Sequence, residues 1–554
     1  MLYYAHIESE VGILNIKEAL YYARIKRIEF KDFRNIESGA VDFPNAKATD
    51  YYAGASSILG LYGQNGSGKS SVIMALGILK DVLSGKKIGD NYASCVRAGC
   101  EKCSLSFIIS MFVNIFDDEN NVVNERMSGC IEVFYDFDIQ KKTITTTDDL
   151  GMPEEKTVFC IEDEVLKLKI TDAEGKTAFP KQVLFDTRKA VSDDKGRAFG
   201  NEQKYDMFTF YGDKNFSNQY KTAKAIAKEN GTSFLFSRRF AECFSAVIEE
   251  YYKEGDITQA AKSFDNALTE AKDLIAVADQ YPEESGYAIF DFLREVYKII
   301  TNLSTFGRMY LQVVDTATTG MTNINSTLPL LLWKHNQGSG AFFYKISLLM
   351  DKPTAVPEKW YARAMQALKS VSDVLSKIVP DMSLDFSDLG KRLTKDNEEE
   401  HCFEIMSRRN NRTIPLKYES DGIRRMVSIL SLLIAVYNEE SFTVAIDEID
   451  SGIFEYLLGE VLSVMSDSIK GQFIFTSHNL RALEVLPAKY LCFTTVNPEN
   501  RFTTLPHRGN SNMRDTYFRN IVLGSDKESI YNPTDRFEIE NAFYRAGHSG
   551  ENES

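Results

Sequence analysis

Two short motifs that lie far apart constrain the fold of this chain more than any other feature. Residues Gly63–Ser70 read GQNGSGKS and match the phosphate-binding loop pattern G-x-x-x-x-G-K-[S/T] at every required position. Residues Phe442–Ile446 form an apolar run that ends in the carboxylates Asp447 and Glu448. About 380 residues separate the two motifs in a chain of 554. We therefore expect one nucleotide-binding domain that a large insertion divides.

The residues that flank the glycine-rich segment support this interpretation. Ser57–Tyr62 is an apolar run of strand length, and apolar residues recur at helical spacing from Ser70 to Lys80. A strand, a loop and a helix in this order direct backbone N–H groups and the positive end of the helix dipole at an anion. We expect Lys69 to reach the β- and γ-phosphates and Ser70 to bind Mg²⁺. The predicted nucleotide-binding residues of the loop are Gly63, Gln64, Asn65, Gly66, Ser67, Gly68, Lys69, Ser70 and Ser71.

Two further strand-like runs carry residues that suit hydrolysis of a nucleoside triphosphate. Asp447 follows the first run and is expected to hold Mg²⁺, while Glu448 is placed to act as the general base on the attacking water. The second run, Gly471–Thr476, leads to His478, which could sense the γ-phosphate or position the water. A surface histidine after a strand is the alternative interpretation of His478.

A third segment, Ser420-Asp421-Gly422, opens the apolar helical run Val427–Tyr437. It could form a second anion-binding helix N-terminus, although the same residues are also an ordinary helix-capping sequence. Arg424 and Arg425 in the same helix are either a solvated basic patch or part of a dimer interface.

The order of these motifs resembles the ABC-type ATPases, and within them the SMC and OLD-like branch. In this resemblance Ser420–Gly422 corresponds to the signature motif, Asp450–Gly452 to the D-loop and His478 to the switch histidine. The segment Ile25–Ile36 resembles the first strand and Phe-Arg-Asn turn of these proteins, which adds Arg34 and Asn35 to the expected nucleotide-binding residues.

The resemblance implies a mechanism that needs two copies of the chain. Two protomers would pack head to tail as a homodimer, or as part of a higher homo-oligomer, with ATP and Mg²⁺ between Lys69 of one and Ser420 and Gly422 of the other. The glutamine of the Q-loop has no assigned position, because neither Gln64 nor Gln140 has a convincing context.

The expected fold class is α/β, a split ABC-type P-loop ATPase head whose mixed sheet carries an antiparallel arm, with a large, mostly helical insertion. Helical spacing within the insertion includes Thr222–Glu229, Ile257–Ala278 and Lys359–Ile378, and a hairpin is expected over His401–Ser407 and Arg412–Leu416. The expected divisions are an N-terminal extension (1–22), an ATPase N-lobe (23–190), the insertion (191–400), an ATPase C-lobe (401–506) and a C-terminal tail (507–554).

Composition limits the partners. With 64 basic and 79 acidic residues the net charge is −15, which argues against nucleic-acid binding over the whole surface. The eight cysteines form no disulfide framework and no secretory signal is present, so a cytoplasmic protein is expected, with no membrane-spanning segment.

No Asp-x-Asp pair follows His478, so we expect no TOPRIM-type nuclease and no nuclease activity of the chain's own. Within the branch, the run Ile446–Glu460 resembles the PtuA-like ATPases of Septu and retron anti-phage defence systems. That resemblance implies an HNH-type nuclease partner and, in some systems, a reverse transcriptase with an RNA–DNA hybrid, so that nucleic acid binds directly or through the partner. The alternative is an SMC-like DNA repair or chromosome-maintenance ATPase that clamps DNA directly.

Overall fold

The computed structural model describes residues 18–47, 50–51, 54–116, 129–147, 152–172, 176–188, 214–243, 296–315, 326–335, 341–395, 397–410, 412–506, 512–523 and 528–547. The strands are β1 (Glu18–Phe33), β2 (Ile36–Asp42), β3 (Ser57–Tyr62), β4 (Lys102–Phe116), β5 (Gly129–Thr147), β6 (Pro153–Asp172), β7 (Thr177–Asp186), β8 (Leu311–Val314), β9 (Thr327–His335), β10 (Ala341–Leu349), β11 (Thr354–Pro357), β12 (Met382–Leu393), β13 (Glu399–Arg409), β14 (Arg412–Pro415), β15 (Thr443–Ile446), β16 (Gln472–Thr476), β17 (Leu491–Thr494) and β18 (Phe502–Thr503). The helices are α1 (Lys69–Leu83), α2 (Lys214–Asn230), α3 (Glu358–Ile378), α4 (Asp421–Asn438), α5 (Glu455–Ser468), α6 (Ala482–Val485), α7 (Met513–Leu523) and α8 (Arg536–Gly547), and residues 238–243 and 296–305 are also helical.

The central sheet is assembled from strands that are distant in sequence. Its order is β18-β17-β3-β16-β15-β8, with β18 antiparallel at one edge and the other neighbours parallel. All residues of β3, β15 and β16 are buried, as expected of parallel strands that are covered on both faces. This burial explains why their sequences are continuous apolar runs. The predicted α/β class with a mixed sheet is confirmed.

Helix α1 lies between the central sheet and a second, antiparallel sheet of order β2-β1-β4-β5-β6-β7. Val72 and Leu79 of α1 share one hydrophobic core with Leu59 of β3 and Phe107 of β4. Because each fully buried large aliphatic side chain contributes about 1.5–3 kcal/mol, this packing on two sides holds the helix in place. The start of α1 is the end of the phosphate loop, so the core also positions the loop.

Helices α4 and α5 cover the opposite face of the central sheet, where Val427 and Leu462 pack with Val444 and Phe473 of the strands. A smaller sheet of order β11-β13-β12 adjoins them, with β14 paired to β13. The β13–β14 pair is the hairpin predicted over residues 401–416.

The segment 191–400, predicted to be mostly helical, contains strands as well as helices. Helix α2 includes the predicted helical residues Thr222–Glu229 and α3 includes Lys359–Ile378, whereas Ile257–Ala278 lies outside the described residues. Strands β8–β12 were not predicted, and β8 joins the central sheet beside β15. β8 and β11 are short and β9 carries a continuous apolar run, which periodicity alone does not distinguish from helix. β12 is longer and alternates over Met382–Phe386, so its sequence did contain a strand signal.

Two helices, α7 and α8, lie in the region predicted as a polar C-terminal tail. The segment before α8 contacts the central domain, since Ile530 is buried in the core under α4 and α5. Over the part of the chain that the structure describes, no helix combines the length and the apolar character needed to cross a membrane.

Candidate nucleotide-binding site

The phosphate loop connects the buried strand β3 to helix α1, in the predicted order. Gly63, Gly66 and Gly68 have φ of 150°, 75° and 105°, which side chains rarely adopt. At Gly63 a Cβ would also lie 1.8 Å from the Thr494 hydroxyl oxygen. The tight turn therefore needs glycine for both its backbone angle and its packing. Among the remaining predicted loop residues, Asn65 is exposed and Ser71 is buried.

Lys69 is the first residue of α1 and its side chain folds back on the loop. The Nζ donates hydrogen bonds to the carbonyl oxygens of Gly63 at 2.7 Å and Gln64 at 3.0 Å. Burial lowers the pKa of Lys69 to about 8, while the neighbouring carboxylates of Asp447 and Glu448 act in the opposite direction. Within the described part of the chain, the hydrogen bonds of this buried ammonium go to backbone carbonyls, which it is well suited to exchange for phosphate oxygens.

Ser70 and Asp447 meet across the sheet, as a shared metal site requires. The Ser70 hydroxyl donates to Asp447 Oδ1 at 3.0 Å, and the Thr476 hydroxyl donates to the same oxygen at 2.6 Å. Asp447 is buried at the end of β15, and its N–H donates to the Val314 carbonyl of β8 at 2.8 Å. A carboxylate and a hydroxyl oxygen are hard ligands of the kind that Mg²⁺ prefers, so this pair fits the metal that the loop implies.

Glu448 adopts a left-handed backbone conformation with φ of 47°. Its N–H donates to the Thr476 hydroxyl at 2.8 Å, so Thr476 contacts both consecutive acidic residues. A non-glycine residue with positive φ costs free energy and is often found at functional sites. The strained backbone therefore marks the turn at Glu448 as a candidate functional position.

The signature-like segment and the D-loop-like segment touch each other through glycine backbones. Ser420 caps α4, and its hydroxyl accepts the N–H of Ile423 at 3.4 Å. A Cβ on Gly422 would lie 1.8 Å from the carbonyl oxygen of Gly452, whose own φ is 72°. The two segments are therefore packed so closely that neither glycine accommodates a side chain.

His478 is joined to the same region by its backbone. Its N–H donates to Asp450 Oδ2 at 3.1 Å, and the residue itself is exposed. The structure thus places the end of β16 beside the D-loop-like segment. The assignment of His478 as a switch residue stays a prediction.

Arg425 has a structural role that the sequence did not reveal. It is buried rather than at an exposed dimer interface, and its Nη2 donates to the main-chain carbonyl of Asp447 at 2.9 Å. Burial lowers the pKa of the guanidinium, and the charges of Asp447, Glu448 and Asp450 oppose that shift. Arg425 therefore connects helix α4 to the turn that carries Asp447 and Glu448, which we call the acidic turn. No pattern in its neighbourhood distinguishes it from Arg424.

Asn35 of the Phe-Arg-Asn turn reaches the phosphate loop, where its Nδ2 donates to the carbonyl of Gly66. Arg501 holds the turn from the other side, through a hydrogen bond of 2.7 Å to the Asn35 carbonyl. Arg34 has φ of 55°, and its N–H donates to the main-chain carbonyl of Cys95 at 2.9 Å. The turn is thus part of the same site.

Two contacts to the loop come from residues that sequence reasoning missed. Thr494, at the end of β17, lies 2.5 Å from the Ser67 hydroxyl. Asn532, in the tail, hydrogen-bonds through its backbone to the Gln64 side chain. Gln140 lies in β5 of the antiparallel sheet, so neither glutamine considered for the Q-loop gains support.

Fold and site together define a P-loop nucleotide-binding protein with a divided α/β domain. The family model of the AAA ATPase domain matches residues 24–481, which is most of the chain. The chain belongs to this family of ATPases. No curated protein gives a significant match to the sequence.

Several solved structures match over most of their length but weakly. The Smc head domain of Pyrococcus furiosus bound to the C-terminal domain of ScpA has 12% identity and a TM-score of 0.32, covering 88% of this chain and 96% of that chain. The SMC head domain from Thermotoga maritima has 11% identity and a TM-score of 0.31, covering 87% and 100%. The recombination mediator protein RecF with ATP has 12% identity and a TM-score of 0.28, covering 84% and 93%. Likenesses at this level carry no conclusion about function.

Proposed function

We propose that this ATPase binds ATP with Mg²⁺ between two copies of the chain and controls a nuclease supplied in trans, as a component of a bacterial anti-phage defence system. The observation that carries the ATPase part is the convergence of Ser70 and Thr476 on one oxygen of Asp447, beside Lys69 and Glu448. These residues come from three separate parts of the chain, and each has the chemistry that its place in hydrolysis needs.

The residues of the chain would act as follows. Lys69 exchanges its carbonyl partners for phosphate oxygens and neutralises part of their charge. Ser70 and Asp447 would hold Mg²⁺, which when bound neutralises negative charge on the phosphates. Glu448 orients the attacking water and accepts its proton.

Dimerisation would complete the site. Ser420 and Gly422 lie at the N-terminus of α4, where free N–H groups favour an anion, and the exposed Asp421 side chain marks this end as accessible. In the proposed arrangement these groups contact the γ-phosphate of the nucleotide that Lys69 holds in the other copy. Isolated monomers should then hydrolyse ATP slowly, and specific activity should rise with protein concentration.

The defence role rests on the resemblance of Ile446–Glu460 to the PtuA-like ATPases. The net charge of −15 favours a partner protein as the group that contacts nucleic acid, because a surface of this sign repels phosphate backbones. An HNH-type nuclease is the proposed partner, and a reverse transcriptase with its RNA–DNA hybrid would accompany it in a retron system.

The test is affinity capture of tagged Glu448→Gln protein from the native host, with Lys69→Ala protein as the matched control. Glu448→Gln should keep ATP and accumulate the dimer, whereas Lys69→Ala should not bind ATP. Recovery of a small nuclease with Glu448→Gln supports the proposal. Recovery of bulk chromosomal DNA without a nuclease would refute it and favour a DNA-clamping ATPase. An unchanged rate of hydrolysis in Glu448→Gln would refute the assignment of the base.

A further inference from the structure

The tip of the phosphate loop, residues 64–67, is held at both of its ends. At the first end, the carbonyl of Gln64 accepts hydrogen bonds from the Ser67 N–H at 3.2 Å and from the Lys69 Nζ at 3.0 Å. At the second end, the Ser67 hydroxyl lies 2.5 Å from the hydroxyl of Thr494, the last residue of β17. The two residues between these ends are exposed. The conformation of the tip therefore depends on the groups that hold Gln64 and Ser67.

The side chain of Gln64 is held by a segment near the C-terminus. The Asn532 N–H donates to Gln64 Oε1 at 3.0 Å, and Gln64 Nε2 donates to the Asn532 carbonyl at 3.5 Å. The side-chain amide thus pairs with the backbone of one residue in both directions. This pairing uses both the donor and the acceptor of the amide, which an apolar side chain of the same length lacks. We call residues 528–532 the C-terminal strap.

The strap is anchored to the central domain before it reaches the loop. Ile530 is buried in the core, and the Ser529 carbonyl accepts the N–H of Val496 at 2.8 Å. The Glu528 carboxylate accepts a hydrogen bond from Asn497 Nδ2 at 3.2 Å. Both of these partners lie in the turn that follows β17, the strand whose end contacts the other side of the loop tip. The loop, the strap and this turn therefore form a closed ring of contacts around the exposed tip.

The strap contacts the loop without using the groups that suit phosphate binding. It takes only the side chain of Gln64, and within the described part of the chain the N–H groups of Asn65, Gly66 and Gly68 make no hydrogen bond. Such N–H groups are the donors that a glycine-rich loop offers to an anion. The contact therefore positions the loop and leaves these donors available.

We propose that the C-terminal strap is a positioning element of the nucleotide site, which fixes the tip of the phosphate loop through the side chain of Gln64 and so raises the affinity for ATP. The inference rests on the ATP binding of the proposed function, and on neither the dimer nor the nuclease. A loop that is already ordered loses less conformational entropy when the nucleotide binds, so it binds more tightly. By linkage, bound ATP stabilises the strap contact in return. Displacement of the strap thus lowers the affinity of the site for ATP.

The test measures the dissociation constant for ATP with Mg²⁺ by calorimetry on the full chain, in the Glu448→Gln background. Gln64→Met keeps the length of the side chain and removes both hydrogen bonds, so the dissociation constant should rise about five- to tenfold. With Glu448 intact, the KM for ATP should rise by the same factor and kcat should change less than about twofold. The matched control is Gln366→Met, which makes the same change at an exposed position of α3 and should bind ATP like its parent.

Two further measurements examine the strap itself. Ile530→Ala loosens the strap from the core and should also raise the dissociation constant for ATP. In that background Gln64→Met should add little, since both changes remove the same contact. Hydrogen–deuterium exchange should show that ATP slows the exchange of residues 529–532 in the unmodified protein and not in Gln64→Met. If Ile530→Ala does not fold, the exchange experiment and Gln64→Met decide the question.

The outcomes separate this inference from the proposed function. If the unmodified protein does not bind ATP, the proposed function fails and the inference fails with it. If ATP binds and Gln64→Met has the same dissociation constant as Gln366→Met, only the inference is overturned. A tighter complex of Gln64→Met with ATP would also overturn it, because the strap would then oppose nucleotide binding.

Discussion

Replacing Gly422 with alanine tests whether the contact between the signature-like and D-loop-like segments matters for hydrolysis. The new Cβ would lie 1.8 Å from the Gly452 carbonyl oxygen and 2.9 Å from its carbonyl carbon. Both atoms belong to the backbone, so no rotation of a side chain relieves the overlap. Either the D-loop-like segment at Gly452 or the start of α4 must therefore move.

The size of the movement follows from ordinary contact distances. A carbon and a carbonyl oxygen approach to about 3.3 Å, so the two backbones must separate by about 1.5 Å. Overpacking of this kind costs about 1–3 kcal/mol, and the better helix propensity of alanine offsets at most about 1 kcal/mol of it. With the full offset, the free energy of unfolding should fall by at most about 2 kcal/mol. A displacement of about 1 Å at a positioning group can reduce turnover about 100-fold, so hydrolysis should suffer more than stability.

The assay combines urea unfolding with ATP turnover at a fixed, high protein concentration. The matched control is Gly459→Ala in helix α5, where the new Cβ would meet Arg481 Cγ at 2.7 Å, part of a flexible side chain. That variant should keep most of its activity and lose little stability. If Gly422→Ala hydrolyses ATP at the unmodified rate, the close glycine contact does not position the catalytic groups and the reasoning is refuted.

Three further perturbations have expected outcomes. Ser70→Ala should raise the Mg²⁺ concentration for half-maximal turnover about tenfold, because it removes the hydroxyl 3.0 Å from Asp447; an unchanged Mg²⁺ titration would contradict the metal site. Gln472→Ala should lower the free energy of unfolding by about 2–4 kcal/mol in urea titrations. The buried amide of Gln472 accepts a hydrogen bond from the Ile25 N–H and donates one to the Ile25 carbonyl, each at 2.8 Å, and the variant loses both. A change below about 0.5 kcal/mol would refute this expectation. Burial raises the pKa of Glu164 above its usual 4.5, so the folded protein loses stability as the pH rises from 4.5 through that raised pKa. Glu164→Gln has no carboxyl group to ionise and should lose less stability over the same pH range in thermal melts. Parallel curves of melting temperature against pH for the two proteins would refute the assignment.

Sequence reasoning correctly placed the phosphate loop between a strand and a helix, and Asp447 at the end of a buried strand. Each of these two patterns lies within a few consecutive residues, so a single sequence contains the whole signal. Thr494 and Asn532 act on the same loop but are recognised only by their distance to it after folding. Threonine and asparagine occur at many positions of a chain, and no spacing in the sequence connects these two residues to the phosphate loop.

The strands of the segment 191–400, here called the middle segment, were not predicted, and the reason is physical. β9 reads TLPLLLWKH and β8 reads LQVV, so neither alternates polar and apolar residues as a half-buried strand does. β8 is apolar except for the buried Gln312, and a largely apolar run of four residues is equally typical of a buried helix turn. Tertiary pairing determines its conformation, and a single sequence does not show pairing.

The position of β8 changes how the division of the domain is understood. Residues 311–314 lie within the segment 191–400, yet Val314 is paired with Ile446 and its carbonyl accepts the N–H of Asp447. The acidic turn is therefore held in place by a strand that precedes it by more than 100 residues along the chain, in addition to β16 on its other side. A shortened middle segment should therefore keep β8. Without β8 the N–H of Asp447 would lose its hydrogen bond to the Val314 carbonyl, and β15 would become an edge of the sheet. The nucleotide site and the fold of the middle segment are consequently coupled, and ligands that order one should stabilise the other.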